Sequence, residues 1–208
     1  GIDSVAIGFN SGASGQITSA VSVGRYSGNT DQEVNAVAIG NASGRLGQKS
    51  SAVGIGPQTG EHGQGGNSVS IGNSAGQYNQ GDAAISIGNS AGRGTNAAGD
   101  FQGIQALAIG ALAGRNFQGA GSIALGALAG VTNQGANGII VSSKQTTALN
   151  DTTDGHIHIS SSLGSIDYTT TDGWALKTGI VDSLKIDGTG ISVNGGGLTV
   201  ADGYFNSY

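Results

Sequence analysis

The 208-residue chain has no cysteine and no methionine, one proline, one tryptophan, and charge on only 10% of its residues. Without cysteine there are no disulfides and no thiolate metal sites. A chain that starts at Gly1 and lacks methionine is expected to be a fragment or processed form of a longer product. The formal net charge is −5 and no basic stripe appears, so the electrostatic footprint of a nucleic-acid binder is missing. No run of about 18 apolar residues occurs, so membrane insertion is not expected. Nucleophile–base pairs, phosphate loops and spaced carboxylate dyads are also missing, and an enzyme is not expected. Asp does not recur at a fixed interval, which speaks against a calcium-binding repeat. There is no threonine ladder of the kind a flat ice-binding solenoid needs.

What the chain does have is glycine, 41 residues of it. Such a share often marks flexible low-complexity sequence, but here the glycines keep register with the apolar residues. Ala36-Val37-Ala38-Ile39-Gly40 returns as Ser4–Gly8, Ala20–Gly24, Ala52–Gly56, Ser68–Gly72, Ala84–Gly88, Ala106–Gly110 and Ser122–Gly126, with a degenerate copy at Gly138–Ser142. The closing glycines stand at 8, 24, 40, 56, 72, 88, 110 and 126, so the interval is 16 except for one of 22. A constant period of this kind is the signature of a repeat protein.

Within each run large and small residues alternate, which is the period of a β-strand. Short strands repeated every 16 residues can stack in parallel about 4.8 Å apart as a solenoid. Val5, Ile7, Val21, Val23, Val37, Ile39, Val53, Ile55, Val69, Ile71, Ile85, Ile87, Leu107, Ile109, Ile123 and Leu125 share one strand face and are expected to form the core of the coils. The Ala/Ser face is then expected to be a subunit interface, three chains packing around one axis, because two aliphatic side chains per coil are too few to order it alone. Ala111-Leu112-Ala113-Gly114 and Ala127-Leu128-Ala129-Gly130 are expected to add a buried leucine to the later coils.

A second register reinforces the first. Gln16, Gln32, Gln48, Gln64, Gln80, Gln118 and Gln134 each follow a closing glycine by eight residues, and Gln102 precedes Gly110 by eight. The eight are expected to form a stacked amide ladder. The extra residues therefore fall about 93–101, as a loop bulging from one coil.

Ser-Val-Ala-Ile-Gly followed by a Ser/Ala-Gly pair, as in Asn73-Ser74-Ala75-Gly76-Gln77-Tyr78-Asn79-Gln80-Gly81, resembles the head repeat of the trimeric autotransporter adhesins and the same repeat in phage and viral tail fibres. The resemblance covers residues 1–142 and implies a homotrimer of left-handed parallel β-rolls. Residues 143–208 carry seven Asp, no Glu and several Asp-Gly or Asn-Gly turn pairs between short alternating runs such as Leu184-Lys185-Ile186 and Gly190-Ile191-Ser192-Val193. No heptad pattern occurs there, whereas the adhesins typically pass from head to coiled-coil stalk. The region instead resembles an interwoven β-shaft.

The expected fold is thus all-β: a parallel β-roll solenoid of 16-residue coils over 1–142, intertwined as a homotrimer, then a β-rich shaft over 143–208. The expected function is structural, a segment of a tail fibre or virion appendage that contributes to host attachment. Its partners would be two identical chains, other virion proteins, and a host-surface glycan or protein. The alternative is the head of a bacterial surface adhesin. No cofactor is expected, with one exception. His156-Ile157-His158 places two imidazoles on one strand face, and three such pairs around a three-fold axis could hold a transition metal. Isolated His62 reads as a surface turn. Phe9, Tyr26, Tyr78, Phe101 and Phe117 lie in the bends, with Phe101 and Phe117 adjacent in the stack.

Overall fold

The computed structural model describes residues 1–95, 101–143 and 150–160 with their side chains, and the backbone of 164–169 and 173–178. The chain is an all-β parallel solenoid of about nine turns, with no helix among the described residues. Its main wall is built from β1 (Val5–Ile7), β2 (Val21–Val23), β3 (Val37–Ile39), β4 (Val53–Ile55), β6 (Val69–Ile71), β8 (Ile85–Ile87), β9 (Leu107–Ile109), β11 (Ile123–Leu125) and β13 (Ile139–Ser142). Neighbouring rungs pair in parallel without slippage, so Val37 lies beside Val53, Ala38 beside Gly54 and Ile39 beside Ile55. The opposite wall carries β5 (His62–Gln64), β7 (Tyr78–Gln80), β10 (Asn116–Gln118) and β12 (Thr132–Gln134), linked to the earlier coils by isolated bridges such as Thr30 to Leu46.

Glycine closes each strand because the backbone there has a positive φ and the next rung lies against it. At Gly56 φ is +126°, and a Cβ would stand 2.7 Å from the carbonyl oxygen of Gly72. Other bends place non-glycine residues in the left-handed region. Asn35 (φ 58°), Asn67 (54°) and Asn137 (56°) suit it, whereas Leu112 (61°) and Leu128 (62°) do not.

The strands lie where the period puts them, but their two faces are exchanged relative to the sequence expectation. The middle residue of each strand points into the coil: Ser22, Ala38, Ser70, Ser86, Ala108 and Ala124 are fully buried. All sixteen aliphatics expected in the core (Val5, Ile7, Val21, Val23, Val37, Ile39, Val53, Ile55, Val69, Ile71, Ile85, Ile87, Leu107, Ile109, Ile123 and Leu125) are half-buried or exposed, Ile39 at 38% and Ile71 at 37%. The Ala/Ser face is therefore coil interior rather than a subunit interface. The reason is size. The interior is filled by glutamine side chains from the opposite wall, which leave room for a methyl or hydroxymethyl group and not for isoleucine.

Two further expectations change. Leu112 and Leu128 are half-buried, and the later coils become more apolar inside through Ala91, Ala113 and Ala129 instead. The parallel stack also runs past the boundary expected at Ser142. β14 (Ile157–Ser160) adds a further parallel rung on β13, and only then do β15 (Gly164–Thr169) and β16 (Gly173–Thr178) pair antiparallel. The shaft-like runs at 184–186, 190–193 and 198–200 lie outside the described residues.

Candidate functional site

Three features of the solenoid carry chemistry: the interior ladder, the outward aliphatic columns and a polar column on the opposite wall. The ladder comes first because it fixes the other two. Gln48 Nε2 donates to the carbonyl oxygens of Val37 (2.8 Å) and Ala52 (3.3 Å) and to Gln64 Oε1 (3.0 Å). Amide-to-amide bonds run from Gln16 to Gln32, Gln32 to Gln48, Gln48 to Gln64, Gln80 to Gln102 and Gln102 to Gln118. Between Gln64 and Gln80 the run is interrupted; Ser70 Oγ donates to Gln80 Oε1 at 2.7 Å, as Ser22 does to Gln32 and Ser86 to Gln102. Gln134 Nε2 still bonds the Ile123 carbonyl, while its Oε1 is buried without a partner. Each rung so satisfied turns a buried amide from a liability into a cross-brace between the walls. Gly44 makes room for it, since a Cβ there would meet Gln48 Oε1 at 2.7 Å. In the early coils Ser27, Ser43 and Thr59 add hydroxyl bonds to the Ala38, Gly54 and Gly72 carbonyls at 2.7–2.9 Å.

Because the interior is full, the aliphatic side chains flanking each middle residue project outward in two continuous columns. One runs Val5, Val21, Val37, Val53, Val69, Ile85, Leu107, Ile123, Ile139, Ile157; the other runs Ile7, Val23, Ile39, Ile55, Ile71, Ile87, Ile109, Leu125, Val141, Ile159. Such a stripe is long, flat, apolar and free of charge.

The same register places the histidine pair. His158 lies beside Ile140 and so continues the inward column, while Ile157 and Ile159 continue the outward ones. The sequence expectation puts His156 and His158 on the Ala/Ser face, opposite Ile157; His158 does lie opposite Ile157, on the face that is coil interior in this chain. His156 Nδ1 stands 3.0 and 3.1 Å from the two carboxylate oxygens of Asp151, with Nε2 buried and unpartnered. Asp151 occupies the rung where the next glutamine would fall: Gly135 N–H donates to the Asp151 carbonyl as Gly119 N–H does to that of Gln134. An Asp–His pair thus succeeds the ladder. No group of three or more His, Asp or Glu side chains suited to a metal occurs among the described residues.

On the opposite wall, residues five beyond the closing glycines stack as Arg45, Glu61, Gln77, Arg93 and Arg115. Arg45 Nε lies 3.0 Å from Glu61 Oε1, Gln77 Nε2 donates to Glu61 Oε2 at 2.8 Å, and Arg93 Nε donates to Gln77 Oε1 at 2.9 Å. His62 belongs to this cluster and is not an isolated turn residue. Its ring stacks on Tyr78 (centroids 5.2 Å, 14°) and its Nε2 is 3.2 Å from the Arg45 guanidinium. Sequence reasoning missed the column, although aligning the coils on their glycines would have brought these residues together. Of the bend aromatics, Phe9 and Tyr26 meet edge to face at 5.6 Å, and Phe101 and Phe117 at 6.1 Å. Comparison of the chain with protein-family models, with curated proteins and with solved structures finds no match.

Proposed function

We propose that the chain is a structural segment of a homotrimeric fibre, a tail fibre or related virion appendage, in which three solenoids pack through their Val/Ile columns. The observation that carries this reading is the outward aliphatic stripe, uncovered in the single chain and repeated in register on every rung. Contiguous apolar surface of that extent marks an association surface. Three-fold closure would bury it and leave no open lateral partner. The work of such a segment is mechanical: a stiff rod in which each coil touches only its neighbours.

Trimerisation through this face differs from the arrangement expected from the sequence, which put the Ala/Ser face at the axis. The absence of heptads after Ser142 favours a virion fibre over the head of a bacterial adhesin. Gold-labelled antibody against the protein tests the assignment. Label on the appendages of purified particles supports it; label confined to bacterial cell surfaces overturns it in favour of the adhesin.

A further inference from the structure

The place where the 16-residue period breaks differs from the rest of the stack in its charge and in its aromatic residues. First, it holds two arginines to which the described residues supply no carboxylate partner. Arg93 and Arg115 occupy the same position on adjacent rungs, joined by the Gly94 N–H bond to the Arg115 carbonyl at 2.7 Å. Arg45, higher in the column, is neutralised by Glu61. Among the described residues Arg115 has no ion pair; its Nε, like that of Arg45, is shielded from water without a hydrogen-bond acceptor. Two guanidinium groups on neighbouring rungs repel one another, and an anion between them would remove that cost.

Second, it holds an exposed aromatic pair at a position where the other coils have turn residues; exposed Phe9, in the first coil, sits elsewhere in its coil. Seven residues past the closing glycines stand Gly15, Asp31, Gly47, Gly63, Asn79 and Asn133, all suited to a turn. At the break the same position is Phe117, and Phe101 precedes Gln102 as Phe117 precedes Gln118. The rings are 40% and 38% exposed and in edge contact.

Phe117 sits at φ +52°, in the left-handed region that Asp31 (53°), Asn79 (48°) and Asn133 (51°) adopt at the same position. A bulky residue held there costs on the order of 1–2 kcal/mol relative to glycine, and strain of this kind gathers at ligand clamps. The backbone gains nothing from phenylalanine here, and the half-exposed ring packs only on Phe101 among the described aromatic residues.

We propose that Arg93, Arg115, Phe101 and Phe117 form a binding site for an acidic glycan. The apolar face of a sugar ring lies on the phenylalanine pair, whose electron-rich faces attract its polarised C–H groups. Its carboxylate or sulfate is held by the guanidinium groups, whose fork of donors matches either anion. A nucleic acid fits poorly with a chain of net charge −5.

The site is on the wall opposite the Val/Ile columns. It gives a chemistry to the attachment role in the reading above, yet it can be tested separately from chain association. Fluorescent hyaluronan oligosaccharides, which carry carboxylates, dextran sulfate and neutral dextran are titrated into the full chain at about 0.15 M salt. The expected result is binding of at least one acidic probe and none of neutral dextran. Arg115→Gln and Phe117→Asn should each weaken it at least about tenfold. Phe117→Asn should melt no lower than the parent, because Asn accepts the same φ. Lys49→Gln, a charge change elsewhere on the surface, should bind as the parent does. No binding of either acidic probe, equal binding of neutral dextran, unaltered affinity in Arg115→Gln and Phe117→Asn, or an equal loss in Lys49→Gln would each overturn the proposal. Native mass, read on the same samples, reports independently on the trimer.

Discussion

Gln32 Nε2 donates to Gln48 Oε1 across 3.0 Å, and both side chains are wholly shielded from solvent. The two residues are 16 apart in sequence and one rung apart in space, so this single bond ties the period of the sequence to the rise of the solenoid. Removing Gln48 takes a donor from the Val37 and Ala52 carbonyls and from Gln64 Oε1, takes one acceptor from the Gln32 amide, and opens a void between the walls. We predict that Gln48→Ala costs about 2–4 kcal/mol, measured by denaturant unfolding. Gln16→Ala, at the half-buried first rung, should cost less. Equal, small effects at both positions would mean that the ladder does not brace the coil.

The two faces of one strand should respond oppositely to substitution. Ala38→Leu forces a large side chain into space held by Gln48 and should destabilise the fold by about 1–3 kcal/mol or prevent folding. Ile39→Ser removes only outward apolar surface. It should keep the β signal in circular dichroism while weakening association. A tolerated Ala38→Leu beside an unfolded Ile39→Ser would restore the aliphatic core that the sequence alone suggests.

Gly56 combines a φ of +126° with the Gly72 carbonyl 2.7 Å from where a Cβ would lie. Gly56→Ala should cost on the order of 3 kcal/mol, strain and contact together, read as a fall in melting temperature. Leu112→Asn, at φ 61°, relieves strain at the backbone and should lose far less.

On the surface, Glu33 pairs with Lys49 at 2.9 Å and accepts from the Ser50 hydroxyl and amide. The Lys49 and Ser50 hydrogen bonds hold the Glu33 carboxyl below its ordinary pKa. A depressed carboxylate contributes stability that is present above its unfolded pKa and fades as pH falls through the folded value. Wild type and Glu33→Gln should therefore differ slightly at neutral pH and converge in acid. The pair is exposed, so the difference at neutral pH should shrink in high salt. A gap that widens on acidification would refute this account of the pair.

Much of the architecture is legible in the sequence because it repeats. The recurrence of Val-Ala-Ile-Gly gives the strands and their register, and Gln102 shows that the stack resumes after the break. The direction of the faces is not legible. Alternation says that Val37 and Ile39 share a side, but nothing local says which side is inside. Hydrophobicity points to the aliphatics; the length of glutamine, which reaches from Gln48 to the Val37 carbonyl, decides for alanine. The same ambiguity bears on the histidine pair: His158 lies opposite Ile157 as alternation requires, and it follows Ala124 and Ile140 onto the inward face. The arginine column escaped notice because its members, Arg45, Glu61, Gln77, Arg93 and Arg115, differ in type and coincide only in position.

The central claim is that the outward Val/Ile columns are buried by sister chains. A native mass measurement on the purified protein, made in parallel on Ile39→Asp/Ile71→Asp, tests it most directly. The account predicts a single wild-type species at three times the 20.2 kDa chain mass, and loss of that species in the double variant. A wild-type protein that is well folded at the mass of one chain would contradict it.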